Sequence, residues 1–322
     1  MTRFILQRLL ETAAVLLIMS FVIYGLIGLM PGDPIDLMIA SDPSLTPEDA
    51  ARLKAVYGLD RPLHERYLAW LGAALQGDFG YSRLYARPVP EILWPRLGNT
   101  VLLMGASFLL ALALALPAGI VAALRPHSAV DGLVNLAAFA GISIPTFWLA
   151  ILLIILFAVI LGVLPASGTA SAGLEPGSLA ALADRARHLV LPVLTLTLVS
   201  AGTLLRYVRA AMIEALRQDY IRTARAKGVG TGRLVLRHAL RNAMIPVVTI
   251  MALDFGTLFS GALVTETIFA YLGMGKTIFD AVMGNDYNLA LIGLLFATGV
   301  VLLANLLADL AYAWLDPRIV YR

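Results

Sequence analysis

Long uncharged runs divide this chain. Between Glu11 and Asp33 lie 21 residues without Asp, Glu, Lys or Arg, between Arg96 and Arg125 lie 28, and between Asp131 and Glu175 lie 43. Leu189 to Leu205 adds 17 and Tyr287 to Ala308 adds 22. A helix that crosses a bilayer needs about 20 apolar residues. The 43-residue run holds one such helix, because Gly162, Pro165 and Gly168 break its second half. Ala243 to Thr265 is apolar except for Asp254 at its middle, which would be costly against lipid. Taken as a span packed inside a bundle or against a partner, it brings the predicted transmembrane helices to six.

The segment after the first run is punctuated differently. Thr46 is a good N-cap, Pro47 suits the first helical position, Glu48 and Asp49 suit the positive end of the dipole, and Gly58 can close a helix over Pro47 to Tyr57. A second helix is expected from Pro62 to Gln76, with Tyr67, Leu68, Leu71 and Leu75 on one stripe and Gly77 as the stop. This gives three parts: residues 1–30 with the first span, a large extracytoplasmic helical loop over 31–98, and a core over 99–322. The loop reads either as a solvated connector or as a cap that meets a solute-binding protein.

Composition agrees with the spans. The chain is 60% hydrophobic and 14% charged, with mean hydropathy +0.84, against roughly 45–50% apolar and about 25% charged for a soluble domain. A net charge of +3 in a charge-poor chain does not mark a nucleic-acid partner, and the absence of cysteine excludes disulfides and thiolate metal sites. Six spans put both termini on one side. The segments on that side carry 14 Lys and Arg, while the two short loops on the other carry Arg185, Arg187 and Lys276. The positive-inside rule makes both termini cytoplasmic, in a multi-pass protein of the bacterial inner membrane. The first run is too long for a signal peptide and lacks a small-x-small cleavage site, so it is read as a retained span.

Candidate chemistry sits in the cytoplasmic loop 214–243. Asp219-Tyr220-Ile221-Arg222-Thr223-Ala224-Arg225-Ala226-Lys227-Gly228 reads as a helix of two to three turns, capped by Asp219 and Gly228, with Arg225 and Lys227 near its negative end. So short a helix is marginal alone in water and needs something to dock against. Small Thr223, Ala224 and Ala226 permit close approach of another surface, and Tyr220 and Ile221 offer apolar anchors. A basic loop that only fixes topology is the plainer reading, and the residues alone leave both open.

The same segment resembles the EAA loop of ABC importer permeases, whose short coupling helix fits a cleft in the ATP-binding subunit. Arg222 stands in place of the namesake Glu and Thr223 in place of the first Ala, while Ala224 and Gly228 fit, and Pro246 comes later than the general motif places its proline. These departures resemble one branch, the dipeptide/oligopeptide/nickel permeases. His238-Ala239-Leu240-Arg241-Asn242-Ala243 agrees with that branch. So, in order, do Pro31-Gly32-Asp33-Pro34, Gly77-Asp78-Phe79-Gly80, Ser143-Ile144-Pro145-Thr146-Phe147, Thr265-Glu266-Thr267-Ile268-Phe269 and Asp316-Pro317-Arg318.

The resemblance implies the all-α, six-helix type I importer permease fold. It implies a second homologous permease, two cytoplasmic ABC ATPase subunits that bind the ATP and Mg, an extracytoplasmic solute-binding protein, and no cofactor or catalytic residue in this chain. Residues 219–228 would be the ATPase contact. Short peptides are the cargo expected from the branch, with glutathione, nickel chelates or oligosaccharides as alternatives.

Other features are weaker. Gly273-Met274-Gly275-Lys276-Thr277 ends like a phosphate-binding loop, but the first glycine would fall at Ala270 and no strand precedes it, so a turn-rich loop is expected. His64, His127, His188 and His238 are scattered without ligand spacing, so no metal site is expected. Asp254, Asn305 and Asp309 are the intramembrane polar residues, lining a pore or bonded between helices. Gly25, Gly28, Gly256 and Gly261 would allow close helix contact. An intramembrane protease of the Ser–His kind would need a histidine on a facing helix, and the histidines lie outside the apolar runs. An ion-coupled secondary transporter using Asp254 would show broken helices and repeat symmetry, which this sequence does not display.

Overall fold

The computed structural model describes residues 2–29, 46, 52 and 61–315. Helix α1 covers Thr2–Gly28 and α2 covers Leu63–Leu75; a hairpin of β1 (Tyr81–Ser82) and β2 (Arg87–Pro88) leads into α3 (Val89–Leu124). Next come α4 (Ala129–Ser143), α5 (Thr146–Leu153) with a π-helical extension Ile154–Ile160, α6 (Leu179–Arg217) and α7 (Asp219–Ala226). A π-helical stretch Leu234–Ala239 runs into α8 (Leu240–Ile268), followed by α9 (Met274–Met283) and α10 (Tyr287–Leu315). The two strands pair antiparallel, Tyr81 opposite Pro88 and Ser82 opposite Arg87.

Among the described residues four helices are each long and apolar enough to cross a membrane, namely α1, α3, α6 and α10, and α4 with α5 gives a fifth if the pair is one broken span. The fifth predicted segment falls within α8, which is continuous for 29 residues in spite of Pro246. The side chain of Asp254, with Gly256 and Gly261, lies outside the described residues, as do the helix expected over Pro47 to Tyr57 and the motifs Pro31-Gly32-Asp33-Pro34 and Asp316-Pro317-Arg318.

The 43-residue run departs from expectation. It breaks first at Ile144-Pro145, where α4 and α5 bend by 101°. Pro145 has no N–H to continue the ladder, and Ile144 ahead of it is forced extended, at φ −83° and ψ 121°. The later breaks fall where the glycines stand: Gly162 and Gly168 take φ of +62° and +92°.

Two compact units divide the described chain. One comprises Gly98–Lys276 with the first six residues and the segment from Val301 onward. In it α4 and α6 approach backbone to backbone through Gly141 and Gly202: a Cβ at Gly141 would stand 2.5 Å from the Leu198 carbonyl, and one at Gly202 2.6 Å from the Ala138 carbonyl. Small residues serve membrane helices in this way because packing, with no water to exclude, drives their association. Ala111, Ala115, Ala138, Ala201, Leu204 and Leu205 fill the space beside this contact.

The other unit comprises Gln7–Leu97 and Thr277–Val300. Gly77-Asp78-Phe79-Gly80 makes its turn with Gly77 and Gly80 at positive φ, and the Gly80 amide donates to Asp78 Oδ1 at 2.9 Å. Ser82 Oγ donates to Asp286 Oδ2 at 2.5 Å, the Leu84 amide to the same oxygen at 3.0 Å, and Arg83 Nη2 to the Gly284 carbonyl. These bonds fix the hairpin to the segment between α9 and α10. Asp286 is only 1% exposed, so its carboxylate depends on these donors.

Candidate functional site

The candidate site is built on α7 and its two junctions. α6 ends at Arg217, the single residue Gln218 is extended at φ −70° and ψ 151°, and α7 begins at Asp219. Gln218 therefore holds the N-cap position expected of Asp219, and it makes no side-chain cap bond. Because α6 continues as far as Arg217, the turn of the chain falls one residue early. Asp219 becomes the first helical residue, still favourable at the positive dipole end, with its side chain open to solvent and 3.6 Å from Arg222.

The other end stops where expected. Gly228 has φ +78°, its amide donates to the Arg225 carbonyl at 3.0 Å, and the Val229 amide donates to the Ala224 carbonyl at 3.2 Å. These paired bonds form a Schellman cap, which needs a left-handed residue and so favours glycine.

Ile221 and Ala224, one turn apart, are buried and pack with Met212, Ala215, Leu234, Val235 and Ala239. The sequence assigns these two to an external surface; the structure turns them into their own chain. Burying one large aliphatic side chain from water is worth roughly 1.5–3 kcal/mol, enough to hold a helix too short to persist alone. The opposite face, Tyr220, Arg222, Thr223, Arg225 and Ala226, is exposed. An open concavity beside it is lined by residues 227–233.

Two turns before the end of α6, Arg209 grips Asp131 in α4, Nε to Oδ1 at 2.5 Å and Nη2 to Oδ2 at 2.7 Å. Asp131 is 3% exposed and also accepts from the His127 amide and from Asn135 Nδ2, at 2.9 and 2.8 Å. Spacing along the chain gives no sign of this pair. Its only trace in the sequence is an acid at the edge of an apolar run.

Glu266, quoted above only as part of a motif, is fully buried. Its carboxylate accepts from Thr100 Oγ1 at 2.5 Å and from the Lys276 amide at 3.0 Å, while Thr100 Oγ1 accepts from the Met274 amide at 2.7 Å. The loop that ends like a phosphate binder thus directs its amides to the chain's own groups. A Cβ at Gly273 would overlap the Glu266 carboxylate, so any larger residue there would have to displace it. Burial, with the Glu266 charge close by, pushes the Tyr271 phenol up to about 12.

Asn305 is exposed on the surface of the chain and Asp309 is half-buried, both on α10.

Residues 115–321 match the family described as binding-protein-dependent transport system inner membrane component, and residues 1–103 match the N-terminal region of such membrane components. The chain is 38% identical over 322 residues to the oligopeptide transport system permease protein AppB of Bacillus subtilis strain 168, covering 100% of both chains. It is 35% identical over 339 residues to the dipeptide transport system permease protein DppB of Escherichia coli K12, covering 99% of both. Among solved structures, an inward-facing form of the MetNI methionine ABC transporter superposes with a TM-score of 0.55 at 19% identity, over 70% of this chain and 96% of that one.

Proposed function

The chain belongs to the binding-protein-dependent transport system inner membrane component family, and on that premise we propose that it is one of two non-identical permeases importing short peptides, moved by α7. It is a multi-pass membrane permease subunit of an ABC importer and has no catalytic function of its own. Short peptides as cargo are supported by the names of the relatives. Two cytoplasmic ATPases bind ATP and Mg, a solute-binding protein delivers cargo at the segment 31–98, and both termini of a six-span chain are cytoplasmic, as the distribution of Lys and Arg supports.

The observation that carries this reading is that α7 is welded inward and bare outward. Ile221 and Ala224 fix it to the end of α6 and the start of α8, and Tyr220, Arg222, Thr223, Arg225 and Ala226 are left for an ATPase to grip. When the ATPases close, a rod attached in this way displaces α6 and α8 together, and the Asp131–Arg209 pair carries the displacement to α4. Asp219, Lys227 and Gly228 shape its ends. Such a two-state movement alternates access to the pore.

The chain has no cysteine, so Thr223→Cys or Ala226→Cys introduces one thiol on the exposed face. Crosslinking of that thiol to an ATPase subunit, modulated by nucleotide, is expected in a complex that takes up labelled dipeptide. A complex that transports while neither position ever crosslinks to its ATPases would overturn the proposal.

A further inference from the structure

Helix α2 holds a face that no reading above uses. Leu63, Tyr67 and Trp70 lie on its side toward α1. A Cβ at Gly25 or Gly28 would meet the Leu63 side chain at 3.8 or 3.9 Å. Trp70 and Tyr24 have ring centroids 5.6 Å apart. Leu63 and Trp70, seven residues apart on α2, thus both meet α1 within its final turn and a half, so α2 crosses α1 near the end of that helix.

Between them Tyr67 reaches deeper. Its ring stands edge-on to Phe21, with centroids 5.1 Å apart, and its hydroxyl lies 2.7 Å from Ser20 Oγ and 3.5 Å from the Leu17 carbonyl. Ser20 is eight residues short of Gly28, where α1 ends, and nine past Glu11, so it sits about 12–14 Å from each of these two points at 1.5 Å per residue. A phenol that bonds at that depth lies at the level of the acyl chains, packed on Phe21, Tyr24 and Trp70, and the Ser20 hydroxyl supplies the partner that lipid cannot.

The rest of α2 fits this depth. At 100° per residue Tyr67, Leu71, Leu75 and Leu68 fall within about 100° of the helix circumference, with His64 of the first turn among them; Gln76 and Arg66 fall on the far side, and Glu65 about 60° beyond Leu68. Leu68 is 62% exposed and Leu75 80% exposed. Tyr24 and Trp70 meet where α2 crosses α1 near the end of that helix, as aromatic side chains do toward a membrane boundary.

We infer that α2 is an in-plane membrane helix, with Leu68, Leu71 and Leu75 seated in the acyl chains of the leaflet at the Gly28 end of α1 and with Glu65 and Arg66 turned to water. Such a helix buries its apolar face about 5–10 Å into the boundary region. The inference rests on α1 being a membrane span and not on which side the termini lie. It makes part of the segment after the first span a lipid anchor, ahead of the hairpin that Ser82 and Asp286 hold.

The test uses the full-length cysteine-free chain in lipid nanodiscs, spin-labelled singly at Leu68→Cys, Leu75→Cys, Glu65→Cys, Leu84→Cys in the hairpin and Ile18→Cys at mid-span. Collision with oxygen, which partitions into lipid, is compared with collision with a water-soluble nickel chelate. The expected result is an oxygen-to-nickel ratio severalfold higher at 68 and 75 than at 65 and 84, approaching that at 18. Nickel access at 68 and 75 with lipid access at 18 would show a solvated helix and overturn the inference. Low access to both reagents would show a protein cover and overturn it too. Nickel access at 18 as well would instead overturn the membrane span itself.

Discussion

Arg209 holds Asp131 through both carboxylate oxygens, across 78 residues of sequence and between two helices. The pair stands between the small-residue contact of α4 with α6 and the junction to α7. Removing one member strands the other: a buried pair that loses a partner costs about 3–5 kcal/mol, whereas replacing both with apolar groups is often near neutral. Asp131→Leu or Arg209→Met alone should lower the thermal unfolding midpoint of the purified complex and reduce uptake, and the double variant should recover most of the midpoint. Recovery of stability without recovery of uptake would separate a transmitting role from a structural one. Equal stability of the single variants and the parent would remove the pair from both.

The left-handed backbone at Gly228 sets where α7 stops. An L-residue in that conformation costs roughly 1–2 kcal/mol, and proline cannot adopt φ +78° at all. Gly228→Pro should leave the chain in the membrane with ATP hydrolysis detectable and uptake lost, and Gly228→Asn should be milder, since asparagine tolerates the left-handed region. Hydrolysis and uptake measured side by side in proteoliposomes decide it; a proline variant that transports at the parental rate removes the cap from the mechanism.

Bulk on α7 should act differently on its two faces. Thr223→Trp or Ala226→Trp adds a large side chain to the solvent face, so expression and unfolding midpoint should hold while association with the ATPases falls. Ala224→Trp forces the same volume into the cluster around Ile221, where overpacking costs about 1–3 kcal/mol, and should lower stability first. Copurification of the ATPases, together with the unfolding midpoint, distinguishes the two. If all three variants behave alike, the inward and outward faces have been misassigned.

Glu266 bears on the amides at the start of α9. Glu266→Ala deprives Thr100 and the Lys276 amide of their acceptor, a loss of about 1–3 kcal/mol for each buried group left unsatisfied, while Glu266→Gln keeps size and one acceptor oxygen. Hydrogen exchange at the Lys276 amide should accelerate strongly in the alanine variant and less in the glutamine variant. Unchanged exchange in both would mean that the carboxylate does not hold the turn.

Much of the fold was legible because it follows from local chemistry. Pro62 and Gly77 bracket α2, Gly228 ends α7, and the apolar runs mark helices, all by rules that act within a few residues. The bend at Ile144-Pro145 was also local, but the glycines further on drew the break to themselves. What spacing could not give were pairings at long range. Asp131 with Arg209, Glu266 with Thr100, and Ser82 with Asp286 each join segments whose proximity only the packed helices create. The same holds for the faces of α7. Its composition admits Ile221 and Ala224 on either side, and only the positions of Leu234 and Val235 decide that they turn inward.

One residue, Gln218, separates a helix of 39 residues from the rod at its foot. With so short a tether the packing of Ile221 and Ala224 has little chain to hold in place, and in the proposed mechanism a residue inserted beside Gln218 would shift that register and loosen the rod from the long helix.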